Sequence, residues 1–240
     1  MNETPKIPKL VTWTGYLALT VLIILPLSVL TVRSGAWQQG LLLYALSCLG
    51  ATAILAVCVL LLMLPRFAPW RRTIMLRALL VLPGTLLLSA MLAGRGDIPP
   101  IHDITTDPAD PPTFTAAPDQ RGADSNSLDI VADTIEQQRS AYPDIATLLT
   151  DIPIDEAFER ALEIASELGW EVYHQDRNAG VIEAVDTTRI MAFKDDVVIR
   201  VRSNADGTLI DLRSVSRVGI SDLGANARRI RTFQDAFRKS

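Results

Sequence analysis

Three long segments near the start of the chain are almost free of charge, and they limit what the chain can fold into more than any other feature. Residues 11–32 and 40–64 contain no charged side chain, and a helix rising about 1.5 Å per residue crosses the roughly 30 Å hydrocarbon core of a bilayer over such a length. Residues 74–93 form a third segment, which crosses if Arg77 extends towards the headgroups. We therefore predict a transmembrane region over residues 1–94 with three helices.

The basic residues that flank the three segments predict how the helices are oriented across the membrane. One side carries two lysines and four arginines: Lys6, Lys9, Arg66, Arg71, Arg72 and Arg77. The other side carries Arg33 and Arg95. Because the more basic side faces the cytoplasm, we expect a multi-pass bacterial inner-membrane protein with a cytoplasmic N-terminus and a periplasmic C-terminal domain. If only two segments cross, that domain lies in the cytoplasm instead.

A cleavable signal peptide is an alternative for the first segment, but its apolar core is longer than the roughly 7–15 residues typical of signal peptides.

Charge is divided unevenly along the chain. The first 96 residues carry eight Lys and Arg against one acidic residue, whereas the other 144 carry 15 Lys and Arg against 26 acidic residues. This division excludes a single soluble domain and a basic nucleic-acid-binding protein. Cys48 and Cys58 lie ten residues apart in one apolar segment, about 15 Å along a helix, so they cannot form a disulfide with each other.

Residues 95–127 are rich in proline, which disfavours helix and predicts a linker between the membrane and the domain. The segment also contains apolar residues that a pure spacer does not need: Ile98, Ile101, Ile104 and Phe114. We therefore expect part of the linker to dock on the domain.

Residues 128–240 have the pattern of an external α+β domain. The predicted elements are a short helix over 128–139, a strand over 146–151, a helix over 153–168, strands over 170–176, 181–189, 196–203 and 208–216, and a helix over 222–238. From the strand at 146 the order is β-α-β-β-β-β-α, which predicts an antiparallel sheet of four or five strands covered by two helices.

Turn signals predict how the strands pair. In the second hairpin, Ser203 opposite Thr208 places Val201 against Ile210 and Ile199 against Leu212 on one face, with Arg200 against Asp211 on the other. In the first hairpin, His174 opposite Glu183 and Tyr173 opposite Ala184 mix polar and apolar residues, so the buried face stays open.

The sequence contains no nucleotide-binding, hydrolase or metal-binding motif, so we predict no catalytic residue, metal or cofactor. The candidate binding residues are polar and cluster in two connections: Arg189, Lys194, Asp195, Asp196, Arg217, Ser221, Asp222, Asn226 and Arg229. A helix N-terminus beside Arg217 or Arg229 could hold a phosphate or carboxylate. The favoured alternative is structural: Ser221 or Asp222 caps the helix, and the arginines form ion pairs with the aspartates.

Adjacent residues of a strand point to opposite faces, so Asp195 and Asp196 are not expected to act together on one substrate.

Three runs of sequence in the domain resemble a known family: residues 193–202, 213–219 and 221–230. The resemblance extends upstream through residues 142–144 and 180–184 and is to DUF1499, a bacterial family of unknown function. It implies an uncharacterised protein in which membrane segments often precede the domain, and it implies no activity or catalytic residue.

From these observations we predict a membrane protein whose external domain binds an envelope protein or an anionic lipid. The alternative is an enzyme that acts on an anionic envelope substrate, with Asp195, Asp196 or Asp222 as acid or base and Arg217 and Arg229 as clamps. A third alternative assigns the function to the helices, but the first two segments contain no Asp, Glu, Lys, Arg or His of the kind that transport paths use.

Overall fold

The computed structural model describes residues 6–93 and 98–239. The chain divides into two compact units, Met1–Gly96 and Asp97–Ser240.

The first unit contains three long helices, α1 (Lys9–Arg33), α2 (Trp37–Met63) and α3 (Arg71–Ala93), with a short 3-10 helix (Pro65–Trp70) before α3. All three are long and apolar enough to cross a membrane, as predicted. Many of their leucines are exposed, among them Leu17, Leu60 and Leu79, as in helices that face lipid.

Small residues set the packing of the first unit. A β-carbon at Gly84 in α3 would lie 2.7 Å from the Cβ of Ala51 in α2, so the close approach of these helices requires glycine. Arg77 donates a hydrogen bond of 3.4 Å from Nη1 to Thr14 Oγ1. Both residues lie in the second turn of their helices, so this arginine reaches α1 near the basic ends of the helices.

The second unit is built on a six-stranded antiparallel sheet. Its strands are β1 (Asp103–Thr105), β2 (Leu148–Thr150), β3 (Glu171–Asp176), β4 (Val181–Thr187), β5 (Lys194–Asn204) and β6 (Gly207–Ser216). The strands follow the order β1-β6-β5-β4-β3, and β2 also pairs with β6. Its helices are α4 (Ala117–Gln120), α5 (Ala132–Ala141), α6 (Ile154–Glu167) and α7 (Ala225–Lys239). From β2 onward the order is the predicted β-α-β-β-β-β-α.

The predicted register of the β5–β6 hairpin is confirmed, including Arg200 opposite Asp211. In the β3–β4 hairpin His174 does lie opposite Glu183, but Ala184 faces Val172 and not Tyr173. The reason is a register shift between Val172 and His174. An extra residue on one strand changes which side chains share a face, which is why alternation alone left this hairpin ambiguous.

One face of the sheet is apolar and packs against α6 and α7. Ile182, Val197, Ile199, Ile210 and Leu212 of the strands are 0% exposed and belong to one core with the two helices. The predicted stripe of α7 is confirmed, because Ile230, Phe233 and Phe237 are all buried there.

The other face of the sheet is polar and is covered by residues 98–131, which we call the strap. The expectation that part of the linker over residues 95–127 docks on the domain is therefore confirmed, although far more of the segment packs than a linker needs; residues 95–97 lie outside the described part of the chain. At the start of the strap, Ile101 and Ile104 are 2% and 0% exposed and join the apolar core on the helix side, where β1 adds a strand to the sheet beside β6. Proline leaves this segment with only one short described helix, α4, but does not prevent packing, so composition alone did not show how much of the segment belongs to the fold.

Candidate functional site

The polar face of the sheet holds the strap through a buried carboxylate. Glu183 on β4 is 0% exposed. It accepts hydrogen bonds from the backbone N–H of Thr115 at 2.6 Å, of Ala116 at 3.0 Å and of Ala117 at 2.8 Å, and from Thr115 Oγ1 at 2.5 Å. A buried charge is tolerated only when it is satisfied in this way. This residue therefore has a structural role, and sequence analysis did not single it out.

Asp196 lies on the same face and is also 0% exposed. Arg217 donates to both its oxygens, at 3.0 Å and 2.7 Å, and Arg121 of the strap donates at 2.6 Å. Burial lowers the pKa of Arg121, and burial together with Asp196 raises the pKa of Tyr173. The predicted candidates Asp196 and Arg217 are therefore brought together, but beneath the strap.

Two further ion-pair groups fasten the strap, and sequence analysis did not predict their contacts with it. Arg213, 2% exposed, donates to Asp103 at 3.0 Å and 2.7 Å and to the carbonyl of Leu128 at 2.8 Å. Arg200 donates to its predicted neighbour Asp211 at 3.0 Å, and it also donates to Asp107 and Asp110 of the strap at 3.2 Å and 2.9 Å. A signal for both was present in β6, where charged residues alternate with apolar ones and so share one face of the sheet.

Asp195 points to the opposite face, as its position next to Asp196 predicts. Arg229 of α7 donates to Asp195 Oδ2 at 2.6 Å and to Asp186 Oδ2 at 2.8 Å. It also donates to Ser214 Oγ at 3.0 Å and to Asn226 Oδ1. The carboxyl of Asp195 is therefore occupied by an internal arginine, which favours a structural role.

The connection to α7 is capped by an aspartate. Asp222 accepts hydrogen bonds from the N–H of Gly224 at 2.8 Å and of Asn226 at 2.7 Å, which satisfies donors at the start of the helix. Burial raises the pKa of Asp222. Ser221 Oγ accepts from the N–H of Leu223 at 3.3 Å, so both residues support the turn.

An open cleft of about 630 Å³ lies on the helix side of the sheet. It is lined by the connection from α6 to β3, the end of β4 and the first half of α7: Leu168, Gly169, Trp170, Asp186, Thr187, Thr188, Arg189, Ala225, Arg228, Arg229 and Thr232. Arg189 and Arg228 are exposed, whereas Arg229 is 8% exposed. Arg189, Arg228 and three threonine hydroxyls suit an anionic group, whereas Arg229 is already bonded to Asp186 and Asp195.

Eight of the nine predicted binding residues are thus divided between three places. Two of them, Arg189 and Arg229, line the cleft. Four others bond Arg229 or support the turn before α7: Asp195, Ser221, Asp222 and Asn226. The last two, Asp196 and Arg217, lie beneath the strap. Lys194 is exposed at the start of β5. Arg228, which sequence analysis left out, lines the cleft together with Asp186.

Within residues 6–93 and 98–239, no group of three or more His, Cys, Asp or Glu side chains is placed to hold a metal ion. The polar groups that line the cleft are cationic or hydroxyl groups, apart from Asp186. The cleft therefore suits binding of an anion through charge-assisted hydrogen bonds.

The domain matches a family model described as "Protein of unknown function (DUF1499)" over residues 103–237. The match confirms the resemblance seen in the sequence. It begins at β1, so it includes most of the strap as well as the sheet and α7. No curated protein matches this chain. A domain match that covers more than half of the chain, from the first strand through the last helix, places the protein in the DUF1499 family.

Proposed function

We propose that the protein is a membrane-anchored binding protein whose second unit holds an anionic group of an envelope protein or lipid in the cleft. The observation that carries this proposal is the cleft itself, in which Arg189 and Arg228 are exposed beside Arg229. Arginine recognises phosphate and carboxylate groups by paired hydrogen bonds. Arg217, which the sequence offered beside the same helix N-terminus, does not line the cleft, because it is bonded to Asp196 on the opposite face of the sheet.

The carboxylates support binding over acid–base chemistry. Asp195 and Asp196 are 3% and 0% exposed and each is bonded to an arginine, and Asp222 caps α7. A general acid or base must reach the proton that it transfers. The alternative of an enzyme therefore has weaker support from this geometry than a binding role.

We further propose that the second unit lies outside the cytoplasm, since the Lys and Arg residues favour that orientation. Fusion of alkaline phosphatase or of a cytoplasm-active fluorescent protein to the C-terminus tests this. Phosphatase activity without fluorescence supports the proposal, and fluorescence alone contradicts it.

The cleft is tested with inorganic phosphate. Full-length protein in detergent is titrated while the ³¹P line width is followed, and acetate and glycerol 1-phosphate are then added as competitors. Competition by glycerol 1-phosphate indicates a lipid source of the anion, and competition by acetate indicates a protein carboxylate. We expect Arg189→Gln with Arg228→Gln to weaken phosphate binding about tenfold or more, since two charge-assisted contacts are lost.

The matched control is Arg177→Gln with Arg238→Gln. The side chains of these arginines are 54% and 56% exposed, and neither lines the cleft. The control variant should bind phosphate as the wild type does. Absence of phosphate binding in the wild type, or equal losses in both variants, would contradict the proposal.

A further inference from the structure

Two connections meet at one end of the sheet, which we call the loop end: residues 188–193 between β4 and β5, and residues 217–224 between β6 and α7. Thr187 pairs with Lys194, and Asp195 with Ser216. The N–H of Arg217 donates to the carbonyl of Lys194 at 3.0 Å. The two connections are therefore neighbours on one surface.

The loop end exposes large apolar side chains. Ile220 is 80% exposed, Ile190 is 70% exposed and Leu223 is 51% exposed. Single exposed apolar residues are common, but a group of this kind marks a surface that contacts a partner.

The backbone holds some of these residues in an unfavourable conformation. Ala192 at φ 56° and Leu223 at φ 52° are the two non-glycine residues with positive φ in the described parts of the chain, and both lie in the loop end. Any residue with a β-carbon is disfavoured there, and a bulky one such as leucine more so. An exposed leucine in a strained turn is therefore a candidate for a role outside the fold.

The exposed charges within the segments that form the loop end share one sign. In the two connections, at the first residue of β5 and in the first turn of α7, the charged residues that are exposed are Arg189, Lys194 and Arg228. The whole chain carries a net charge of −4, so a local basic group around apolar side chains stands out. That combination is complementary to an anionic bilayer surface.

The chain also enters the second unit at this end. The carbonyl of Ile101 accepts a hydrogen bond at 3.1 Å from the N–H of Asp222, and His102 Nδ1 lies 3.4 Å from the carbonyl oxygen of Ile220. Only residues 94–97 stand between α3 and residue 98. Along the sequence, the segment that meets the loop end therefore follows a candidate membrane span after four residues.

We propose that the loop end docks on the surface of an anionic phospholipid bilayer. Ile190, Ile220 and Leu223 enter the interfacial layer, and the surrounding basic side chains meet the headgroup phosphates. None of these three apolar side chains lines the cleft. The proposal of membrane docking can therefore be wrong while the cleft still binds phosphate.

The test uses the full chain in lipid nanodiscs of phosphatidylcholine alone or mixed with phosphatidylglycerol. Cys48 and Cys58 are replaced by alanine, and a polarity-sensitive fluorophore is attached at Ile220→Cys. Leu149→Cys is the matched control, because Leu149 is 55% exposed and pairs with Leu209 at the opposite end of the sheet.

We expect the probe at position 220 to shift its emission to the blue and to be quenched by nitroxide lipids in the anionic discs. The probe at position 149 should do neither. Equal water exposure of the two probes in both lipids would overturn the proposal. Equal quenching at position 220 with and without phosphatidylglycerol would overturn the requirement for anionic lipid.

Leu223→Gly separates a lipid contact from a purely structural role. Glycine relieves the positive φ, so the second unit should keep or raise its Tm. Quenching of the probe at position 220 should nevertheless fall several-fold, because apolar side chain is removed from the interface. If the variant is folded and quenching is unchanged, Leu223 makes no lipid contact and the proposal fails.

Discussion

Glu183 is the residue whose replacement should release the strap from the sheet. In Glu183→Ala the N–H of Ala117, which is buried and bonds the carboxylate at 2.8 Å, loses its partner. An unpaired buried donor costs about 1–3 kcal/mol. The bonds from Thr115 and Ala116 add to this loss, although water can replace part of them because Thr115 is exposed. We expect a total loss of about 2–4 kcal/mol.

Hydrogen exchange of the full-length protein in detergent measures this loss where it occurs. Because about 1.4 kcal/mol corresponds to a factor of ten, amides of residues 103–121 should exchange roughly 30-fold to several hundred-fold faster. The paired amides of β5 and β6 should keep most of their protection. Glu183→Gln should reduce the free energy that holds the strap on the sheet by about half as much, since the amide keeps one acceptor oxygen.

Glu171→Ala is the control, because Glu171 is exposed on the neighbouring strand β3. A surface change of this kind should alter stability by no more than about 0.5 kcal/mol. Unchanged exchange of the strap in Glu183→Ala, or an equal change in the control, would refute the reasoning that this carboxylate holds the strap.

Three other substitutions have outcomes that the structure predicts. Arg213→Met leaves Asp103 without its partner and should destabilise the second unit by about 3–5 kcal/mol in urea titration; a loss below about 1 kcal/mol would contradict the buried ion pair. Gly180→Ala places a β-carbon 2.0 Å from the carbonyl oxygen of Val201 at a φ of 66°, so we expect a loss of at least about 2 kcal/mol in the same assay, and wild-type stability would contradict that close approach. Hydrogen bonds from Arg231 hold the pKa of the Asp144 carboxyl below its ordinary value, so this pair stabilises the fold above about pH 4 and loses its effect as the pH falls through the lowered pKa. Asp144→Asn should cost about 0.2–1 kcal/mol at neutral pH, because both side chains are partly exposed, and should flatten stability below about pH 4; an unchanged pH profile would contradict the pairing.

The order of helices and strands after residue 146 could be predicted because each element carries a local signal. Amphipathic spacing marks α6 and α7, and Gly180 and Gly207 mark the two hairpin turns. The register of the β5–β6 hairpin could be predicted because apolar residues of one strand had to lie opposite apolar residues of the other. The shift between Val172 and His174 has no such signal, because one extra residue on an edge strand changes neither composition nor length.

Docking of the strap could be predicted only in part: Ile101 and Ile104 signalled it, but the rest of the attachment is polar and non-periodic. Backbone N–H groups of residues 115–117 bind Glu183, and backbone donors are identical in every sequence. Its prolines are compatible with both a spacer and a packed segment.

The candidate site was predicted in part. Arg189 and Arg229 do line one cleft. The side chain of Ser216 contacts α7, so the next residue, Arg217, points to the other face of the sheet and bonds Asp196 there. Nearness in sequence to the start of α7 was therefore a poor guide to nearness in space.

The most direct test of an anion site in the cleft is a crystal structure of the full-length protein soaked in tungstate, an electron-dense analogue of phosphate. We predict an anomalous peak within hydrogen-bonding distance of the guanidinium groups of Arg189 and Arg228, and its loss when both are replaced by glutamine. No peak in the cleft of the wild type, or a peak that persists in the double variant, would contradict the binding function proposed for this protein.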